Sequence, residues 1–154
     1  MGDRTYAYYK VHPEDIARLL ELAPELRNID PAADYEGWDP SGPYADDGLR
    51  HIDECNYGGG QDWYKLAAAG IRFYGWSGAG GDYGEIDFHC DGSELRTAVA
   101  GYDGGYVVQM VDGDFIPEAL DRLREYEASR LATLAVIDEA WGLLPCNMRR
   151  AEQC

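Results

Sequence analysis

A chain of 154 residues with 29 acids and 13 bases carries a formal charge of −16. That balance excludes the basic footprint needed for direct contact with nucleic acid or an anionic membrane. Hydrophobic content of 45% and aromatic content of 12% exclude a disordered acidic tail, and the length suits a single domain over residues 1–154 with one core.

No apolar run approaches the ~20 residues of a membrane span. Met1-Gly2-Asp3-Arg4 lacks the charged and apolar regions of a signal peptide. Tyr6 stands where a myristoylation pattern wants Ser or Thr. The expectation is a cytoplasmic protein. Cys55, Cys90, Cys146 and Cys154 are widely spaced without a CxxC, so free thiols are expected.

In chain order, Thr5 to Val11 alternates weakly, is rich in tyrosine, and reads as a first strand. His12-Pro13-Glu14-Asp15 opens a helix, with Pro in the first turn and acids where the dipole favours them. Ile16, Leu19, Leu20 and Leu22 give it an apolar stripe, and Pro24 ends it. From Asn28 to Gly60 glycines and prolines dissolve the pattern into a long loop region, with one helical turn read around Leu49 to Cys55. Gln61 to Ala69 has helical composition, and Gly70 stands at its C-terminal cap.

Ile71 to Val111 reads as an antiparallel meander, its short β-type runs separated by Gly-rich turns and Asp91-Gly92. Alternation places Ile71, Phe73, Ile86, Phe88 and Val107 on the core face, with Arg72, Tyr74, Glu85, Asp87 and His89 opposite. Asp112-Gly113-Asp114 ends the sheet. Pro117 opens the longest helix, to about Trp141, with apolar positions at Leu120, Leu123, Tyr126, Leu131, Leu134 and Ile137. Residues 146–154 form a short tail. The expected fold class is α+β: an antiparallel meander of about four to five strands against a long C-terminal helix and one or two shorter ones.

Reactive constellations are weak. The loop Gly78 to Gly84 has Tyr83 where a phosphate-binding fingerprint wants its third glycine, and it leads into a strand. A wide hairpin loop accounts for its glycines. His51, Cys55, His89 and Cys90 match no zinc framework, and the Asp46-Asp47 and Asp112-Asp114 pairs fit no EF-hand. Gly75-Trp76-Ser77-Gly78-Ala79 misses the nucleophile elbow at its last position. No cofactor, metal or catalytic residue is therefore assigned.

The acids are unevenly placed. Nine acids and one base lie between Asn28 and Asp62, and ten acids and one base between Phe73 and Asp121. Tyrosines run through the same stretches and suit a binding face. The expectation is an acidic protein-binding inhibitor that docks a basic, nucleic-acid-binding surface of a partner protein. Its contact residues are expected among Asp34, Glu36, Trp38, Asp46, Asp47, Asp53, Glu54, Asp82, Tyr83 and Glu85. Phage- or bacteria-encoded nucleic-acid mimics that antagonise defence nucleases share this composition, as do immunity proteins against basic toxins. The match is one of composition and not of motif. The alternative is a small enzyme or ligand-binding domain with a pocket lined by Arg72, Tyr74, Trp76, Asp87 or His89.

Overall fold

The structure, a computed structural model, describes residues 4–24, 26–28, 49–56, 60–78, 85–100, 106–108 and 110–142. It has the α+β architecture, with an antiparallel sheet, a long C-terminal helix and shorter helices. The strands are β1 (Arg4–Val11), β2 (Arg27–Asn28), β3 (Leu49–Asn56), β4 (Arg72–Ser77), β5 (Glu85–Asp91) and β6 (Leu95–Ala100). They form one sheet in the order β2-β3-β1-β4-β5-β6. A separate hairpin pairs β7 (Met110–Val111) with β8 (Asp114–Phe115). The helices are α1 (Ile16–Leu22), α2 (Gly60–Ala68) and α3 (Pro117–Ala140), and a 3-10 turn at Pro13–Asp15 leads into α1.

Local chemistry explains most of these boundaries. His12 is a helix-entry residue, its Nδ1 accepting the Glu14 amide at 3.3 Å. Gly70 ends α2 at φ +74° and Gly142 follows α3 at φ +69°, a region open to glycine. Asp91 Oδ1 accepts the amides of Ser93 and Glu94 and the Ser93 hydroxyl, which closes the β5–β6 turn. Those donors lower the Asp91 pKa to about 2, with the Ser93 hydroxyl contributing most. Asp112 at φ +52° and Gly113 at φ +87° put two left-handed residues at the tip of the β7–β8 hairpin, as a twisted two-residue turn requires.

One face of the sheet carries the core. Tyr9, Val11, Phe73, Phe88 and Cys90 pack there with Leu19 of α1, Trp63 and Leu66 of α2, and Ile71. Phe88 is its centre, with ring centroids of Trp63 at 4.4 Å and Tyr9 at 4.9 Å. Gly75 pairs with Phe88 across β4–β5, and the Phe88 ring fills the space that a side chain at Gly75 would need.

Four expectations are corrected. The meander does not run to Val111: Met110–Val111 pairs with Asp114–Phe115 in the separate hairpin, and Asp112-Gly113 is that hairpin's turn. Leu49 to Cys55 is not a helical turn: β3 pairs along β1, so the expected loop region 28–60 contains a strand inside the sheet. The register slips between Thr5↔Cys55 and Ala7↔Ile52. That bulge places residues three apart on β3 opposite residues two apart on β1, so a helix-like spacing serves a strand. Val107 leaves the core and is 63% exposed, because residues 106–108 run along β6 at the sheet's margin. Leu131 is exposed, because the sheet-facing phase of α3 runs through Tyr126, Thr133 and Ile137. The tail 146–154 lies outside the described residues.

Candidate functional site

The other face of the sheet is polar, and its register sets out the side chains in rows. Tyr8, Trp76, Asp87 and Ala98 form one row, and Lys10, Tyr74, His89 and Arg96 the next. Arg72 and Asp91 pair in a third. An amphipathic helix would cover such a face poorly with leucine alone. The α3 stripe is accordingly mixed, burying Tyr126, Thr133, Ile137 and Asp138.

The helix crosses this face from β6 to β1. Just before its midpoint the Tyr106 hydroxyl lies 3.1 Å from both Asp87 Oδ2 and Glu127 Oε2. Arg130 holds Glu127 through two 2.8 Å bonds. At mid-helix His89 Nε2 meets Ser129 Oγ at 2.8 Å. Near its end Asp138 Oδ1 meets Lys10 Nζ at 3.2 Å and accepts the Tyr74 hydroxyl at 3.3 Å. Finally, Trp141 Nε1 donates to the Val11 carbonyl at 2.8 Å.

Burial shifts the groups beneath the helix. It raises the Asp87 pKa, against the Tyr106 hydrogen bond and the Arg130 charge. It raises the phenols of Tyr106 and Tyr126 as well. The Glu127 carboxyl is held below its ordinary range, chiefly by the hydrogen bonds from Arg130. Burial pushes the His89 pKa down to about 4, helped by Arg96 and Arg130 and opposed by Asp91 and Glu127.

His89 is 1% exposed, and its Nδ1 has no hydrogen-bond partner among the described residues. It is neutral at pH 7, whereas an unfolded histidine takes up its proton near pH 6.5. Between those values the unfolded chain binds more protons, so stability falls as pH drops from about 6.5 to about 4. Chemical denaturation across that window is expected to show a loss of ~3 kcal/mol in the parent. His89→Gln is expected to flatten it. An equal slope in the variant would assign the effect to other groups.

Beside this layer Arg72, Asp91, Ser129, Thr133 and Val136 line a cleft of about 170 Å³. Its polar groups already have internal partners. Arg72 Nε donates to Asp15 Oδ2 at 2.8 Å and its Nη2 to Glu14 at 2.9 Å. Asp91 closes its own turn. A neutral histidine against a serine resembles half of a hydrolytic pair. A base shifted to about 4 is, however, weak at neutral pH, and no acid orients its Nδ1 among the described residues. His89 and Cys90 face opposite sides of β5, one under α3 and the other in the core.

The helix leaves one corner of the polar face uncovered. Trp76 is 39% exposed there and stacks on Tyr8, with ring centroids 5.0 Å apart and planes at 20°. Asp87 is its neighbour across β4–β5, and Glu85 stands two residues back along the same strand. Of the expected contact residues, Glu85 is therefore brought to this corner, half-buried at the start of β5. Asp53 and Glu54 fall on β3 at the register slip. Asp34, Glu36, Trp38, Asp46, Asp47, Asp82 and Tyr83 lie outside the described residues. Sequence reasoning did not single out Tyr8 as a partner for Trp76. The signal available was the alternation of the first strand, which puts Tyr8 opposite in phase to Tyr9. No family model matches the chain, and no curated protein or solved structure is significantly similar to it.

Proposed function

We propose that this protein is an acidic binding protein that docks a basic, nucleic-acid-binding surface of a partner protein, as an inhibitor or an immunity factor would. One observation carries the reading: a charge of −16 on a folded chain, concentrated in two stretches that hold nineteen acids and two bases. The internal bonding supports it. Lys10, Arg72, Arg96, Arg124 and Arg130 are each paired with the chain's own carboxylates. Lys65 and Arg122 are bonded to the carbonyls of Leu22 and Glu118. These cations knit the fold together, while Glu21, Asp112, Asp114, Glu118, Glu125 and Glu139 stand exposed. A field of that sign steers a basic partner and repels a phosphate backbone.

Salt is the test. Proteins retained from lysate on the immobilised chain are expected to be basic. They are expected to be lost between about 0.1 M and about 1 M salt, as the screening length falls from ~10 Å to ~3 Å. Reversing charge at Asp82 and Glu85 together is expected to weaken the purified pair by roughly tenfold or more without unfolding the chain. Retention that ignores both salt and charge reversal would remove the basis for this reading.

A further inference from the structure

We infer that the Tyr8–Trp76 stack, with Asp87 and Glu85 beside it, is the seat of an arginine side chain from the basic partner. This inference rests on the proposed function and specifies one anchor within it.

The corner is built for a planar cation. Trp76 sits in mid-sheet, yet 39% of its surface is open, in the quarter of the polar face that α3 does not cross. Tyr8 packs on one side of the indole at 5.0 Å and fixes its orientation without help from a ligand. The row continues on the other side to Asp87, so a group laid on the indole from β5 stands above a carboxylate. Glu85 lies further along the same strand, in phase with Asp87. An aromatic face with carboxylates at its edge attracts cations through both the ring quadrupole and direct charge.

Arginine suits this site better than lysine. Its guanidinium is flat, stacks on indole, gives up its hydration more readily than an ammonium, and can bond a carboxylate with two parallel N–H groups. The Asp87 carboxyl is half-buried, takes one hydrogen bond from Tyr106, and is disfavoured in its charged form by burial. An arriving guanidinium favours the charged form. Arg130, whose charge acts on Asp87, is engaged by Glu127 on the helix side. The competing explanation is an ordinary cross-strand aromatic pair that only stabilises the sheet.

The test uses the full chain with an oligo-arginine and an oligo-lysine peptide of equal length. At low salt the parent is expected to bind both, with arginine preferred by roughly threefold to thirtyfold. Trp76→Leu keeps an apolar side chain but no ring, and is expected to erase the preference while oligo-lysine binding changes less than about twofold. Trp76→Phe is expected to retain part of it. In the unaltered chain, oligo-arginine is expected to shift the indole N–H resonance of Trp76 ahead of those of Trp63 and Trp141. That readout does not depend on any variant folding.

If both peptides bind equally, or if the Trp76 resonance stays put while they bind, the arginine seat is wrong and the acidic-surface reading stands. If neither peptide binds the parent at low salt, the acidic-surface reading fails, and this inference fails with it.

Discussion

Gly75→Ala is expected to destabilise the fold by about 3 kcal/mol, at the severe end for overpacking. Gly75 lies in β4, between β1 and β5. A Cβ there would lie 2.7 Å from Cε2 of Phe88 and would also collide with the Tyr8 carbonyl. The first obstacle is the ring at the centre of the core, stacked on Trp63 and tilted against Tyr9. The second is backbone of the neighbouring strand and cannot rotate away. Either the Phe88 ring leaves its stack or β1 and β4 move apart. Urea unfolding is expected to give a lower midpoint with an unchanged slope. Adding Phe88→Leu should relieve the ring clash but not the backbone one, so the double variant should lose less than the sum of the two single changes. A Gly75→Ala chain within ~1 kcal/mol of the parent would mean that the core is not packed on this glycine.

The second large effect is expected at Asp138. Asp138→Ala removes a carboxylate that is 5% exposed from an ammonium that is 8% exposed. Breaking one side of such a buried pair costs ~3–5 kcal/mol, because the remaining charge stays out of water. The position makes the dependence sharper. Asp138 lies in the last turn of α3, where the helix dipole disfavours an acid, and that turn contains no base. Lys10 of β1 supplies the compensation across the sheet–helix interface. Lys10→Met should be similarly costly. Lys10→Met with Asp138→Leu should recover most of the loss, since an apolar pair of similar volume can replace a buried ion pair. A full double-mutant cycle by thermal unfolding measures this coupling. Additive losses, with no recovery, would show that the pair does not act as a unit. The result bears on the proposed arginine seat too, because α3, running from β6 to β1, leaves Trp76 39% exposed.

Much of this fold was legible because local rules were consistent. Pro13, Gly70, Pro117 and Gly142 sit at element boundaries, and their backbone preferences act over one or two residues. Alternation separated Phe73 and Phe88 from Arg72, Tyr74 and His89, and the two sets lie on opposite faces of the sheet. The helical turn expected over Leu49 to Cys55 is a strand for an equally physical reason. Leu49, Ile52 and Cys55 recur every three residues, which locally signals a helix. Only the edge of β1, some forty residues earlier in sequence, offers the ladder and the bulge that make this segment a strand. The expected stripe of α3 holds at Tyr126 and Ile137, which are buried, and fails at Leu131, which is exposed. The sheet presents it with lysine, histidine and aspartate, and the helix answers with Ser129, Thr133 and Asp138.

The candidate site divides along the same line. Composition alone determined the sign and size of the net charge, because counting acids needs no geometry. It also named Glu85 as an expected contact residue, and the strand register sets that residue two positions from Asp87. The stacking of Tyr8 on Trp76 was not in the sequence, since two helices and two strands among the described residues separate them and they meet only through the β1–β4 register. Nor was the exposure of that pair, which depends on where a helix formed forty residues later happens to cross the sheet. Charge and periodicity are properties of a segment and survive without a fold. Which side chains meet, and which are left uncovered, is set by pairings between distant segments, and those exist only once the chain has closed on itself.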